Sequence, residues 1–181
     1  MEWSYDRETM GELTIEDLNR GNRAAFIEAL GDVYEHSPWV AERSWSERPF
    51  SSVEDLHGSM ASTVRDASRE EKLKLLRAHP DLGERTEMTD ASEGEQAAAG
   101  LDELGPEQHE TFERLNGTYR ERFGFPFIMA VSGERPDAIQ GAMETRIEHS
   151  KAEELRTVLE EVDTIAGLRF EGILAFEGSE P

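Results

Sequence analysis

The sequence has no cysteine and very little lysine. Three of its 19 basic residues are lysines, at positions 72, 74 and 151, and the other 16 are arginines. The absence of cysteine excludes disulfides, thiolate nucleophiles and cysteine metal sites, and it fits a reducing compartment.

Positive charge is scarce throughout. The chain carries 40 acidic residues against 19 basic ones, which gives a net charge of −21. Such a surface repels nucleic acids and anionic lipids, so we expect neither a nucleic acid nor a membrane as a partner. Because the acids are spread along the whole chain, the pattern favours a halophilic-type acidic surface over an acidic interaction tail.

The sequence also lacks a long apolar run and a signal-peptide pattern, so we expect a soluble, cytoplasmic protein. Its 181 residues are enough for one domain with a core of its own. We predict this domain over residues 10–175, with frayed termini at 1–9 and 176–181.

Alternation of apolar and polar residues, the sign of a β-strand, is missing as well. Helical periodicity and capping residues indicate an all-α protein, a single-domain bundle of roughly eight to ten helices. The predicted helix starts include Thr14, Asn22, Ser52 and the Ser68-x-x-Glu71 box. The segment 123–131 has no helical period and is interrupted by glycine and proline, so we expect a buried, extended connector there.

His79 stands at a predicted helix exit. Pro80 disfavours helical geometry at the preceding residue, so the apolar-periodic helix before it should end near Ala78. The imidazole can then point off the end of a rigid element, and Asp81-Leu82-Gly83 supplies the turn that follows.

Arg169 continues the apolar stripe of the last predicted helix, four residues after Ile165 and three after Ala166. A guanidinium in that position keeps its charge and needs an anion. Buried charges are usually paired for structural reasons, so an internal salt bridge is one interpretation and ligand binding the other. Arg146 raises the same question, and there we favour the structural interpretation.

The Ser92-x-x-Glu95 spacing has two interpretations. It is typical of a capping box at the start of an alanine-rich helix. Gln96, directly after it, adds a donor and an acceptor, and exposed N–H groups at a helix start favour an anionic or carbonyl-rich ligand. The remaining histidines lie in polar surroundings without metal-ligand spacing, and we expect them to be solvated and to bind no metal: His36, His57, His109 and His149.

Several motifs occur together in one order along the chain. They are Ser37-Pro38-Trp39, Arg48-Pro49-Phe50, His79-Pro80-Asp81-Leu82-Gly83, Ser92-x-x-Glu95-Gln96, Ala99-Gly100-Leu101, Leu115-Asn116-x-x-Tyr119, Phe123-Gly124-Phe125-Pro126-Phe127-Ile128 and Ile165-Ala166-x-Leu168-Arg169. In this combination the sequence resembles the 2-oxo-4-hydroxy-4-carboxy-5-ureidoimidazoline (OHCU) decarboxylase family, the enzymes that complete the conversion of urate to (S)-allantoin.

The resemblance implies an all-helical fold that is often a homodimer, a small-molecule substrate and no cofactor. It makes His79 the catalytic acid and base, Glu95 its carboxylate partner and Arg169 the clamp for the charged part of the substrate. It also implies functional coupling to uricase and hydroxyisourate hydrolase. The residues implied to bind substrate are Pro80, Ser92, Glu93, Gly94, Glu95, Gln96, Phe127, Ile128, Met129, Ala130, Val131 and Arg169.

Two alternatives stay open. One is a non-catalytic acidic binding module of the same helical fold, in which His79 and Arg169 are only packed and paired. Retention of His79, Glu95, Gln96 and Arg169 together speaks against it. The other is a metal-dependent hydrolase that uses His79 and Asp81, although their spacing is generic.

Overall fold

The computed structural model describes residues 13–84 and 88–175, and in this part of the chain it contains nine α-helices. They are α1 (Ile15–Arg20), α2 (Arg23–Leu30), α3 (Trp39–Ser44), α4 (Val53–Asp66), α5 (Arg69–Arg77), α6 (Asp90–Ala98), α7 (Pro106–Phe123), α8 (Pro136–Ile147) and α9 (Lys151–Ile173). A 3₁₀ turn follows α3, and an isolated β-bridge joins Leu13 to Leu174. The prediction of an all-α protein with eight to ten helices is confirmed. None of the helices described here is long and apolar enough to cross a membrane.

The helices begin where short polar side chains can accept hydrogen bonds from otherwise unpaired N–H groups. Thr14 accepts from the backbone of Asp17, Asn22 from that of Ala25 and Ser52 from that of Asp55, all at 2.9–3.1 Å. Each such cap stabilises a helix by about 1 kcal/mol. The predicted starts of α1, α2 and α4 are therefore confirmed.

At the start of α5 the predicted capping box is formed by Ser68 and Glu71. Glu71 also forms an ion pair with Arg43. The hydrogen bond from Arg43, followed by the one from the Ser68 backbone, lowers the pKa of Glu71 from 4.5 to about 2.

Because this pKa is lower in the folded protein than in the unfolded chain, Glu71 stabilises the fold above pH 4.5 and ceases to do so as the pH falls towards about 2. The difference in melting temperature between wild type and Glu71→Gln should therefore shrink across that interval. Thermal unfolding of both proteins at a series of pH values measures it. A difference that does not vary with pH would contradict this role.

The chain divides into two compact units. Of the described residues, the first contains 13–72 and 166–175, and its core includes Leu18, Phe26, Leu30, Leu56, Met60 and Phe170. The second contains 73–84 and 88–165, and its core includes Leu75, Leu76, Phe112, Tyr119, Phe127, Ile139 and Met143. The predicted frayed termini and the boundary at residue 10 lie outside the described residues, so the domain limits remain predictions.

The connector between α7 and α8 is largely buried and forms neither a helix nor a strand, as predicted. Phe127 is fully buried, and no strand is assigned to residues 125–131. Its backbone is held at two points, since Arg146 Nη1 donates to the carbonyl of Ile128 and the N–H of Ala130 donates to Glu161 Oε2, both at 2.8 Å. These bonds replace the sheet partners that the segment lacks.

Glu154 is a fully buried carboxylate at the centre of the second unit. Its Oε1 accepts hydrogen bonds from Tyr119 Oη at 2.5 Å and from Arg146 Nε and Nη2 at 2.8 and 2.5 Å, while Oε2 lies 2.9 Å from His149 Nδ1. The pKa of the Tyr119 hydroxyl is strongly raised, mainly by burial and secondly by the hydrogen bond to Glu154 and its charge. The structural interpretation of Arg146 is therefore confirmed, because its guanidinium joins Glu154 to the connector.

Candidate active site

His79 lies just after the end of α5, as predicted, and is 8% exposed. Its Nδ1 is 2.9 Å from the carbonyl oxygen of Leu75. A carbonyl oxygen only accepts hydrogen bonds, so Nδ1 carries the hydrogen, and in the neutral ring Nε2 is the basic nitrogen. The helix end thus fixes both the orientation of the imidazole and the nitrogen that can exchange a proton.

The turn after His79 is fixed by side chains of α6 and α7. Arg120 Nη2 donates to Asp81 Oδ1 at 2.7 Å, Asn116 Nδ2 to the Leu82 carbonyl at 2.9 Å, and the Gly83 N–H to Gln96 Oε1 at 3.1 Å. Three consecutive residues after Pro80 are each anchored. The chain on the C-terminal side of the histidine is therefore fixed by α6 and α7.

Gly83 is required in this turn. Its φ of +80° lies in the left-handed region, and a Cβ there would stand 2.9 Å from Leu104 Cδ1. A side chain would therefore introduce both backbone strain and a steric clash, directly beside the bond to Gln96.

The helix that carries the Ser92-x-x-Glu95 motif begins earlier than predicted. Its N-cap is Thr89, whose side chain accepts a hydrogen bond from the Ser92 N–H at 3.2 Å. Ser92 and Glu95 therefore lie inside α6, and the expectation of a capping box at Ser92 is wrong. The cap is supplied upstream by Thr89, so Ser92 does not cap this helix.

The buried face of α6 is polar. Ser92 and Gln96, one helical turn apart, are each 6% exposed, and Glu95 is half-buried between them. Buried polar groups are uncommon without a partner or a function. Glu93 and Gly94, also predicted to bind substrate, are exposed. The structure gives their side chains no evident function, and their assignment stays a prediction.

Asn116 is a buried residue whose role the sequence reasoning missed. It is 2% exposed, and while its Nδ2 donates to Leu82, its Oδ1 has no hydrogen-bond partner among the described residues. A signal was present, because Asn116 interrupts the stripe of Phe112, Leu115 and Tyr119 on α7. Arg120, one turn further along, is exposed, and its ion pair with Asp81 was not predicted.

Asp81 is buried and already neutralised by Arg120. Burial, and then the charge of Asp81, raise the pKa of the nearby Glu84. Within residues 13–84 and 88–175 no group of three or more histidine or carboxylate side chains is placed to hold a metal ion. The pairing of Asp81 with arginine gives the metal-dependent hydrolase alternative no support.

Arg169 lies on α9 in the first unit and is 7% exposed. Its Nη2 donates to Glu35 Oε2 at 2.9 Å, and its Nη1 lies 3.2 Å from the carbonyl oxygens of Asp32 and Val33. The anion expected beside this arginine is therefore the fully buried Glu35. The internal salt bridge is confirmed, and the role in binding substrate stays a prediction.

Two of the other histidines are not solvated as predicted. His149 pairs with Glu154, and His57 is half-buried with its ring centroid 5.5 Å from that of Phe170. His36 and His109 are exposed, as expected.

Comparison with known proteins identifies the group to which the chain belongs. The model of the OHCU decarboxylase family matches residues 19–171. The 2-oxo-4-hydroxy-4-carboxy-5-ureidoimidazoline decarboxylase of Haloferax volcanii is 64% identical over 160 residues, which is 88% of this chain and 95% of that protein. The enzyme of the same name from Halalkalicoccus jeotgali is 62% identical, over 90% of this chain and 92% of that protein.

A solved structure is also similar. The crystal structure of an (S)-allantoin synthase superposes with a TM-score of 0.72 at 32% identity and covers 90% of this chain. The present chain spans about half of that solved chain, 54% of its length. With a family match over most of the sequence and relatives above 60% identity across nearly their whole length, the chain belongs to the OHCU decarboxylase family.

Proposed function

We propose that this protein decarboxylates OHCU to (S)-allantoin without a cofactor, as the last step of urate-to-allantoin conversion. The observation that carries the proposal is the high identity, over almost their full length, to two relatives that bear the name of this decarboxylase. His79 is buried, is fixed in one orientation and is followed by a turn that is bonded to Gln96 of α6, which fits acid–base chemistry on a small molecule.

The substrate supplies its own electron sink. The carbon that carries the carboxylate also carries a hydroxyl and neighbours a ring C=N bond. When the bond to the carboxylate breaks, carbon dioxide leaves and its electron pair flows into the imine. The former imine nitrogen takes up a proton from water. The hydroxyl then loses its proton to form the carbonyl, and the neighbouring carbon gains a proton. The protein has only to orient the substrate and move protons, so the chemistry needs no cofactor.

His79 suits these proton transfers. With Nδ1 held by Leu75, the Nε2 atom is the one that takes up the hydroxyl proton and delivers a proton to one face of the ring. Positioned acid–base catalysis of this kind contributes on the order of 10²–10⁴-fold to the rate.

The other assigned residues act on binding and orientation. We assign Glu95 as the carboxylate that supports the charged form of His79, and Ser92 and Gln96 as polar contacts on the same helix face. Gln96 has a second duty, because its Oε1 also holds the turn after His79. Arg169 is proposed to orient the substrate carboxylate, and Pro80 and the connector 127–131 to contact the ring.

The same proposal extends to the cellular setting. We infer that the enzyme is cytoplasmic and that it forms homodimers. We also infer that it is functionally coupled to uricase and hydroxyisourate hydrolase, because OHCU is unstable and must be consumed soon after it forms. The acidic composition favours a high salt optimum.

The direct test follows the absorbance of OHCU freshly generated from urate by uricase and hydroxyisourate hydrolase. In high salt, folded protein should accelerate its decay above the spontaneous rate, and a chelator should leave that acceleration unchanged. Decay at the spontaneous rate would contradict the proposed activity. Loss of activity on chelation would instead favour a metal-dependent enzyme.

A further inference from the structure

The guanidinium of Arg169 is held at three points by one segment of the first unit, residues 32–35, which lies between α2 and α3. Glu35 contacts Nη2, and the two backbone carbonyls of Asp32 and Val33 contact Nη1. Glu35 is fully buried, and Arg169 nearly so. An ion pair removed from water in this way is held far more rigidly than one on the surface.

The backbone around Glu35 is shaped to place its carboxylate. The next residue, His36, has a φ of +44°, in the left-handed region that non-glycine residues rarely adopt. Ser37 Oγ closes the turn by donating to the Glu35 carbonyl at 2.8 Å. Glu35 Oε2 faces Arg169, and Oε1 lies 3.7 Å from Nε2 of the exposed His36. An uncommon backbone conformation thus accompanies the pairing of Glu35 with Arg169.

The charge balance of this pair matters for a decarboxylation. In the reaction, negative charge leaves the substrate carboxylate and moves into the ring. An uncompensated cation on that carboxylate would stabilise the bound substrate more than the transition state, which tightens binding and slows the chemical step. A guanidinium that already shares its charge with a buried carboxylate can orient the substrate without this cost.

On the basis of the proposed function, we propose that Glu35 is a positioning residue that attenuates the charge of Arg169 towards the substrate carboxylate. It acts through Arg169 and does not itself touch the substrate. Its role is to keep Arg169 oriented while limiting how strongly the reactant anion is held.

The informative variant is Glu35→Gln, which keeps the length of the side chain and an oxygen for Arg169 but removes the negative charge. KM and kcat should both fall by about the same factor, roughly threefold to tenfold, because removal of the compensating charge stabilises the bound substrate and leaves the transition state little changed. A residue that only maintains the fold would lower the amount of active protein and leave KM unchanged.

Two further variants complete the experiment. Glu16→Gln removes an exposed ion pair, with Arg20, and should leave both constants unchanged. Glu35→Asp keeps the charge but withdraws it from Arg169 by about one bond length, roughly 1.5 Å, so a smaller fall of both constants is expected.

Steady-state kinetics on OHCU, with circular dichroism to confirm folding, distinguishes the outcomes. Unchanged or raised KM in folded Glu35→Gln overturns the inference. If Glu35→Gln does not fold, the KM of Glu35→Asp decides in the same way, and an unchanged or raised value overturns the inference. If neither variant folds, the pair of Glu35 and Arg169 serves only stability and the inference is overturned. Inactive wild-type protein would contradict the proposed function itself, whereas active wild type with an unaltered Glu35→Gln contradicts only this inference.

Discussion

Replacement of His79 by asparagine should remove nearly all turnover while the helical content persists. The asparagine amide can still donate to the Leu75 carbonyl, which Nδ1 of His79 contacts at 2.9 Å, so the end of α5 keeps its bond. The variant has nothing at the position of Nε2 to accept or deliver a proton. The expected loss in kcat is on the order of 10²–10⁴-fold.

A matched control is His109→Asn, the same change at an exposed position of α7. It should leave both kcat and the circular dichroism spectrum unchanged. If His79→Asn lost its helical signal together with its activity, His79 would be a structural residue. If it retained wild-type turnover, the acid–base role would be wrong.

Replacement of Glu154 by alanine should cause the largest loss of stability. Glu154 is the shared partner of Tyr119, Arg146 and His149, and it is fully buried. Its removal leaves a buried guanidinium without a counter-charge, which typically costs about 3–5 kcal/mol. For a chain of this size that corresponds to a fall in melting temperature of roughly 10 °C.

Denaturant unfolding at fixed salt measures this loss, with Glu160→Ala as the control at an exposed position of the same helix. Glu160→Ala should change the free energy of unfolding by less than about 0.5 kcal/mol, as surface substitutions generally do. A Glu154→Ala variant within about 1 kcal/mol of wild type would show that the cluster is not a stabilising centre.

Most of the helical architecture follows from local sequence. Thr14, Asn22 and Ser52 each have a side-chain oxygen that competes well for the first N–H groups of a helix, so the starts of α1, α2 and α4 could be predicted. The end of α5 beside His79 and the buried connector were predictable for a similar reason, since proline and glycine restrict the backbone locally.

The start of α6 could not be decided locally. Thr89 and Ser92 are both good caps, and Ser92-x-x-Glu95 has the spacing of a capping box. Tertiary structure decides between the two caps. Ser92 and Gln96 lie on one buried face of the helix, and the helix begins one turn earlier, after Thr89. Because Ser92 could be explained as a cap, the buried polar face of α6 was not predicted.

Contacts between residues far apart in the sequence could not be predicted from local sequence patterns either. Arg169 was recognised as a buried cation, but its partner Glu35 is 134 residues away and is one of 40 acids in the chain. Asn116 and Arg120 are bound to the turn after His79 by contacts 34 and 39 residues apart. Such pairs depend on how helices pack, and periodicity predicts only which face of a helix is buried.

We propose that His79 drives a decarboxylation that produces one enantiomer of allantoin. Circular dichroism of the product tests it most directly, with OHCU generated in place and equal amounts of folded wild type and His79→Asn in high salt. Wild type should give rapid formation of optically active allantoin, and the variant should match the slow racemic background. Racemic product at the spontaneous rate from folded wild-type protein would contradict the claim and favour the non-catalytic binding module.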